Sequence, residues 1–191
     1  MPSTARFCDA LGYAVQLHAR QCRKGSDTPY IAHLLSVTAI VLEHGGSEDE
    51  AIAALLHDAI EDQGGGAVRE EIHRRFGPAV AAIVDGCSDS ETIPKPPWRE
   101  RKEKYLAHLP AAGRSVHLVS AADKLHNVRA LLDDYREHGE ALWDRFSGGR
   151  EGTLWYYRAV ADALAASFPG PLVQKLETAV AELERAAARA I

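Results

Sequence analysis

The sequence predicts an all-α protein, and three observations predict it. Apolar residues recur at spacings of three and four along most of the chain. Glycine and proline interrupt those runs at intervals that suit helices, as at Gly45-Gly46, Gly77-Pro78 and Gly148-Gly149. The few clusters of β-branched residues sit inside helical patterns, with no alternating strand pairs and no internal repeats. A bundle of roughly eight to eleven helices is expected on that periodicity. With 191 residues, 46% hydrophobic and 26% charged, the chain suits one globular domain with a sizeable core.

Each element follows from local signals. Leu11, Val15 and His18 fall on one face of a first helix that ends near Gly25. Asp27-Thr28-Pro29 is a turn, and His33 to His44 is a second helical run stopped by Gly45-Gly46. Ser47 caps a third helix, with Glu50 three residues on completing a capping box. That helix carries Ala51 through His57-Asp58, and its end is supplied by Gly64-Gly65-Gly66. A short helix spans Val68 to Phe76, and Pro78 opens another through Val84. The stretch from Cys87 to Pro97, with three prolines, is a loop. Arg99 to Leu109 is a charged helix, and Val116 to Tyr135 is a long one with Leu118, Leu125, Val128, Leu131 and Leu132 as its apolar positions. After a loop at Ser147-Gly148-Gly149 come the last two helices, Thr153 to Phe168 and Leu172 to Ile191. Residues 1–191 form a single domain in this view. The C-terminal helix, about 171–191, places Leu172, Leu176, Leu183 and Ile191 near one face, to pack on the domain or to mediate association as a homodimer.

Charge and cysteine content narrow the function. The net charge of -5 argues against a general nucleic-acid binder, and an anionic ligand would need a metal or clustered Arg and Lys. Three cysteines, Cys8, Cys22 and Cys87, form no C-x-x-C, so a disulfide framework is not expected. Met1 to Asp9 shows no secretory pattern, and no apolar run approaches membrane-spanning length. A cytoplasmic protein without membrane partners is expected.

The chemistry concentrates in a few residues. His57-Asp58 is an adjacent imidazole–carboxylate pair after the apolar run Ile52 to Leu56. Neighbouring helix residues point about 100° apart, so both reach one ion only near a helix end. His33 opens the preceding helix, and Asp123 sits in the apolar context Ser120-Ala121-Ala122-Asp123, where a carboxylate is costly unless paired or ligating. Glu61 and Asp62 lie four residues beyond His57 and Asp58. Two imidazoles and two carboxylates suit a divalent first-row ion, Mn²⁺ first, with Fe²⁺ or Zn²⁺ as alternatives. His44, His73, His108, His117, His126 and His138 are expected at the surface or in packing. Lys95, Arg99, Arg101 and Lys102 flank the proline-rich loop as a basic patch or a solvated face.

The order His33, His57-Asp58, Asp123 resembles the H…HD…D pattern of the HD superfamily. Arg23-Lys24-Gly25, Pro29-Tyr30-Ile31-Ala32-His33, Leu55-Leu56-His57-Asp58-Ala59-Ile60-Glu61-Asp62, Glu71 to Gly77 and Ala122-Asp123-Lys124-Leu125-His126-Asn127 closely resemble the hydrolase domain of RelA/SpoT homologues, over about residues 6–165. No nucleotidyltransferase segment follows within the chain, which looks like a small stand-alone alarmone hydrolase. The resemblance implies removal of the 3′-diphosphate of (p)ppGpp as pyrophosphate. It implies Mn²⁺ on His33, His57, Asp58 and Asp123, Glu61 and Asp62 as the catalytic acidic pair, and Arg23, Lys24 and Asn127 at the nucleotide. It also places a basic segment near Glu100-Arg101-Lys102, so that Lys95, Arg101 and Lys102 are candidate phosphate contacts. Gln63 and Ala130 depart from the family, which commonly has Thr and a polar residue there. Tyr156, Tyr157 and Arg158 either border the nucleotide or, for the aromatics, pack the core. Two other functions fit the same residues: a phosphohydrolase acting on ppApp or the 2′-phosphate of NADPH, and a non-catalytic alarmone-binding module.

Overall fold

A computed structural model describes residues 4–90 and 94–189. The described residues form ten α-helices and two short 3₁₀ segments, with no strand beyond an isolated bridge between Cys22 and Pro29. The helices are α1 (Thr4–Leu17), α2 (Ile31–Glu43), α3 (Glu48–Leu56), α4 (Ala59–Gln63), α5 (Gly65–Phe76), α6 (Pro78–Cys87), α7 (Trp98–His108), α8 (Arg114–His138), α9 (Gly149–Ser167) and α10 (Pro171–Ala188). The 3₁₀ segments are Leu109–Ala111 and Gly139–Arg145. No helix among the described residues is long and apolar enough to cross a membrane.

The central element is α8. Leu118, Val119, Ala121, Ala122, Leu125 and Val128 are buried along it, and it packs on α2, α3, α6, α9 and α10. A helix surrounded in this way cannot be amphipathic, which is why Asp123 ends up inside the bundle. The capping box at the start of α3 forms as expected: Ser47 Oγ accepts from the Glu50 amide, and Glu50 accepts from the Ser47 amide. Pro78 opens α6, where a missing amide hydrogen costs nothing.

Two boundaries differ clearly from the sequence expectation. First, α1 stops at Leu17, well before Gly25, and its inward face is Ala10 and Ala14, while Val15 is 47% exposed. Small alanines let α1 approach α3 closely, and that packing outweighs the larger valine's preference for burial. Second, α3 ends at Leu56 rather than near Gly64, and a new short helix starts at Ala59. The C-terminal helix buries Leu172, Leu176 and Leu183 against α8 and α9, together with Val173, Val180 and Ala187. Those leucines serve the core, while Ile191 lies outside the described residues. Each fully buried leucine stabilises the fold by about 1.5–3 kcal/mol.

Candidate active site

The break between α3 and α4 builds the centre of the site. His57 folds its ring back so that Nδ1–H donates to the Ala54 carbonyl at 2.9 Å, satisfying one of the acceptors a helix end leaves open. Asp58 starts the next helix, and its carbonyl accepts the Asp62 amide at 3.0 Å. Interrupting the helix at the pair lets two adjacent side chains converge instead of diverging.

Four groups meet there. Asp58 Oδ2 lies 3.1 Å from His57 Nε2 and 3.7 Å from His33 Nε2. Asp123 Oδ1 lies 3.5 Å from His57 Nε2 and 3.3 Å from His33 Nε2. Both Nε2 atoms are buried without an aligned hydrogen-bond partner, although carboxylate oxygens surround them. Atoms that crowd one point yet do not bond to each other are arranged for a cation between them. The proton on His57 Nδ1 is spoken for by Ala54, so the neutral ring presents a bare lone pair to two carboxylates. Without a cation that arrangement is repulsive unless the ring is protonated. Burial opposes a charged His57, but Asp58 and Asp123 overcome it and hold the pKa well above the ordinary value. Burial likewise opposes charge on Asp58 and Asp123, while His57 and His33, and for Asp123 also Lys124, hold both carboxyls well below their usual range. His33, His57 and Asp58 form the tightest group, their ligand atoms all within 4.8 Å of one another. Such a donor set fits a divalent metal.

Two cavities flank this cage. The inner one, about 230 Å³, is lined by five carboxylates, Asp58, Glu61, Asp62, Asp89 and Asp123, but only by two lysines, Lys102 and Lys124. The outer one, about 570 Å³, contains Arg23, Lys24, His33 and His126. Tyr30, Asp62, Asn127, Phe146 and Tyr157 line both, so the two are compartments of one cleft. The Tyr30 hydroxyl donates to Asp58 Oδ2. Arg23 Nη2 donates to Asn127 Oδ1 at 2.8 Å, and Asn127 Nδ2 donates in turn to Asp123 Oδ1. Gly25, at φ +77°, turns the chain beneath Arg145, a conformation and a closeness that a side chain would spoil.

The expected acidic pair and basic patch are interlocked. Lys95 Nζ donates to Glu61 Oε1 at 2.9 Å and to Asp62 Oδ1 at 3.1 Å. Gln21 Nε2 donates to Asp62 Oδ2 at 2.9 Å, and Gln63 holds Gln21 from the other side. Burial raises the Glu61 pKa, with Asp89 and Asp58 adding to it and Lys95 opposing. Arg101 and Lys102 both grip Asp89, at 2.6 Å each, so their charges are compensated before any ligand arrives. Of the two, Lys102 lines the inner cavity, whereas Arg101 reaches within 3.5 Å of Glu61. Arg99 turns outward over Trp155 and onto Glu103. Arg158 pairs with Glu184 on α10 and lines neither cavity, while Tyr156 and Tyr157 do line the cleft. Burial pushes Tyr157 up to about 12 and Cys87 up to about 11, so both keep their protons near neutral pH.

Several site residues escaped the sequence reading. Lys124 donates to Asp123 Oδ2 at 2.5 Å and stays charged despite burial because Asp123 outweighs desolvation. Asp89, on a loop, had no periodic signal to mark it. His126 was expected at the surface or in packing, yet its Nδ1 lies 2.8 Å from His33 Nδ1. It stands three residues after Asp123, hence on the same helix face, and that spacing was the available clue.

A helical frame that focuses two histidines and two aspartates beside a polar cleft is that of a metal-binding helical protein. The HD domain family matches residues 10–154, and the chain belongs to it. It is 41% identical over 130 residues to the guanosine-3′,5′-bis(diphosphate) 3′-pyrophosphohydrolase MESH1 of Xenopus tropicalis, covering 66% of this chain and 70% of that protein. It is 32% identical over 204 residues to the GTP pyrophosphokinase rsh of Brucella ovis, covering 90% of this chain but 26% of that longer protein. Among solved structures, it is similar to a metazoan orthologue of SpoT described as hydrolysing ppGpp and playing a role in starvation responses. That likeness has a TM-score of 0.80 and 27% identity, over 98% of this chain and 99% of the other.

Proposed function

We propose that this chain hydrolyses (p)ppGpp at its 3′-diphosphate, releasing pyrophosphate and leaving GDP or GTP. The observation that carries this is the position of the four-residue cage at the junction of a small, carboxylate-rich cavity and a larger one with fewer acidic groups. A 3′-diphosphate fits the first and a nucleoside fits the second. Relatives bearing the name of that activity support it.

Balanced, the reaction is simple. A water oxygen bonds to the phosphorus next to the ribose, the bond from that phosphorus to the 3′ oxygen breaks, and a proton moves from the water to the leaving 3′ oxygen. His33, His57, Asp58 and Asp123 would hold the divalent ion, with Mn²⁺ favoured over Fe²⁺ or Zn²⁺ for two imidazoles and two carboxylates. Such an ion supplies charge neutralisation and acidifies water. Glu61, its pKa raised by burial beside Asp89 and Asp58, is the residue suited to take the proton from water. Asp62, tied by Gln21 and Lys95, keeps the acidic pair in place. Lys102 and Lys124 would face the phosphates in a cavity where carboxylates outnumber cations, so a bound divalent ion would supply the positive charge that the lysines do not. Arg23 and Lys24 meet the nucleotide in the outer cavity, Arg23 through a planar guanidinium suited to a base or a phosphate. Asn127 reaches the ribose from the helix face that also carries Asp123.

The test is a substrate panel with Mn²⁺-loaded protein: ppGpp, ppApp and NADPH at equal concentration, with products separated by chromatography. Pyrophosphate and GDP from ppGpp are expected. A tenfold or greater preference for ppApp or NADPH in kcat/KM would overturn the guanine assignment. No turnover of any of the three with metal bound would return the chain to an alarmone-binding role.

A further inference from the structure

His33 Nδ1 and His126 Nδ1 are 2.8 Å apart, with ring centroids at 4.8 Å. Two ring nitrogens at that distance need one proton between them, so one donates and the other accepts. His33 Nε2 faces Asp58 and Asp123. If that nitrogen is to offer its lone pair to a cation, the ring's single proton must sit on Nδ1, pointing at His126. His126 Nδ1 must then be the acceptor, and its own proton must reside on Nε2. His126 is half-buried and lines the outer cavity.

We infer that His126 is a positioning residue that sets the metal-facing tautomer of His33 and, through the same proton arrangement, presents its Nε2–H to the nucleotide. The assignment rests on the metal proposal above. It links the two compartments by one hydrogen bond. The cation fixes the proton on His33, His33 fixes the acceptor on His126, and His126 becomes an obligatory donor toward an acceptor oxygen of the ribose or phosphates. A ring nitrogen that could also accept would not discriminate.

Two substitutions separate the two halves. His126→Phe keeps a planar ring but offers His33 no acceptor. His126→Asn places Oδ1 about where Nδ1 stood, restoring the acceptor and removing the Nε2–H. Metal affinity is read without turnover, by electron paramagnetic resonance of free Mn²⁺ during titration of metal-free protein, with circular dichroism confirming helix content. His126→Phe should weaken Mn²⁺ binding by about 10–100-fold, the usual cost of losing such a partner. His126→Asn should bind Mn²⁺ within about threefold of the original chain, yet raise KM for ppGpp with kcat little changed, as expected for a lost ground-state contact. In the Zn²⁺-loaded protein, long-range ¹H–¹⁵N spectra should show His126 protonated on Nε2.

Unchanged Mn²⁺ affinity in His126→Phe, or a proton on His126 Nδ1, overturns the inference. So does equal weakening in both variants, which would mean ring packing alone. If the Phe variant does not fold, the Asn variant decides: lost Mn²⁺ affinity refutes the acceptor role, and an unchanged KM refutes the donor role. Failure of the metal proposal is separately visible, because the original chain and Asp58→Ala would then bind Mn²⁺ equally poorly.

Discussion

The two compartments of the cleft differ in kind. The inner cavity crowds five carboxylates and two lysines around a cage whose histidine nitrogens are buried. The outer cavity is more than twice as large and lined by Arg23, Lys24 and mainly neutral groups such as Ser26, Thr28, Ser36 and Ala130. Charge so dense and so desolvated is expensive, and it persists because each member is held by another: Asp58 by Tyr30, Asp89 by Arg101 and Lys102, Asp123 by Lys124 and Asn127. The outer wall is held mainly by single hydrogen bonds, Arg23 to Asn127 and His126 with His33. The inner compartment is dense in interlocked charge and the outer one broader and more neutral, with Tyr30, Asp62, Asn127, Phe146 and Tyr157 as the shared wall.

Substitutions should break that division in order of size. Asp58→Ala removes a cage carboxylate and leaves two buried imidazoles facing a single acid. Bound metal should fall from stoichiometric to near zero by elemental analysis, with activity lost alongside it, and retained stoichiometric metal would take Asp58 out of the cage. Glu61→Gln keeps the shape of the inner cavity but removes the carboxylate proposed to take the proton. Turnover should fall by around a hundredfold or more, the scale of acid–base residues, while metal content holds. Unaltered kcat there would move the proton-taking role elsewhere.

The outer compartment should respond differently. Arg23→Ala should act mainly on KM, by about ten- to a hundredfold if one charge-assisted bond worth ~1.5–3 kcal/mol is lost. Because Arg23 also holds Asn127, which holds Asp123, a concurrent drop in Mn²⁺ affinity would show that the two compartments are coupled through that chain. The smallest effect belongs to Arg158→Ala, which loses a half-exposed pair with Glu184 outside the cleft. Kinetics should be unchanged, and stability should fall by no more than about 1 kcal/mol in thermal or urea unfolding. A change in KM would place Arg158 at the nucleotide after all.

The sequence by itself determined the helical class, most helix boundaries to within a few residues, and the four side chains that the fold brings to one point. Periodicity and caps are local signals: Ser47 with Glu50, Gly77 with Pro78, and the apolar spacing through α8 act within a turn or two of themselves. Asp123 was recognisable because a carboxylate in a strongly apolar run is costly and needs a reason, and His33, His57 and Asp58 because the adjacent pair and its order in the chain resemble the H…HD…D pattern. Tertiary structure alone decided the rest. It broke the helix at His57, because packing α3 against the core while bringing Asp58 beside His33 and Asp123 requires a turn that no glycine marks. It seated Leu172, Leu176 and Leu183 in the core, where α8 offers them an apolar partner within the same chain. It also brought His126 to His33 and Lys95 to Glu61, contacts 93 and 34 residues apart along the chain. Spacing along a sequence carries the geometry of one helix. The meeting of side chains from different helices depends on how the whole core closes.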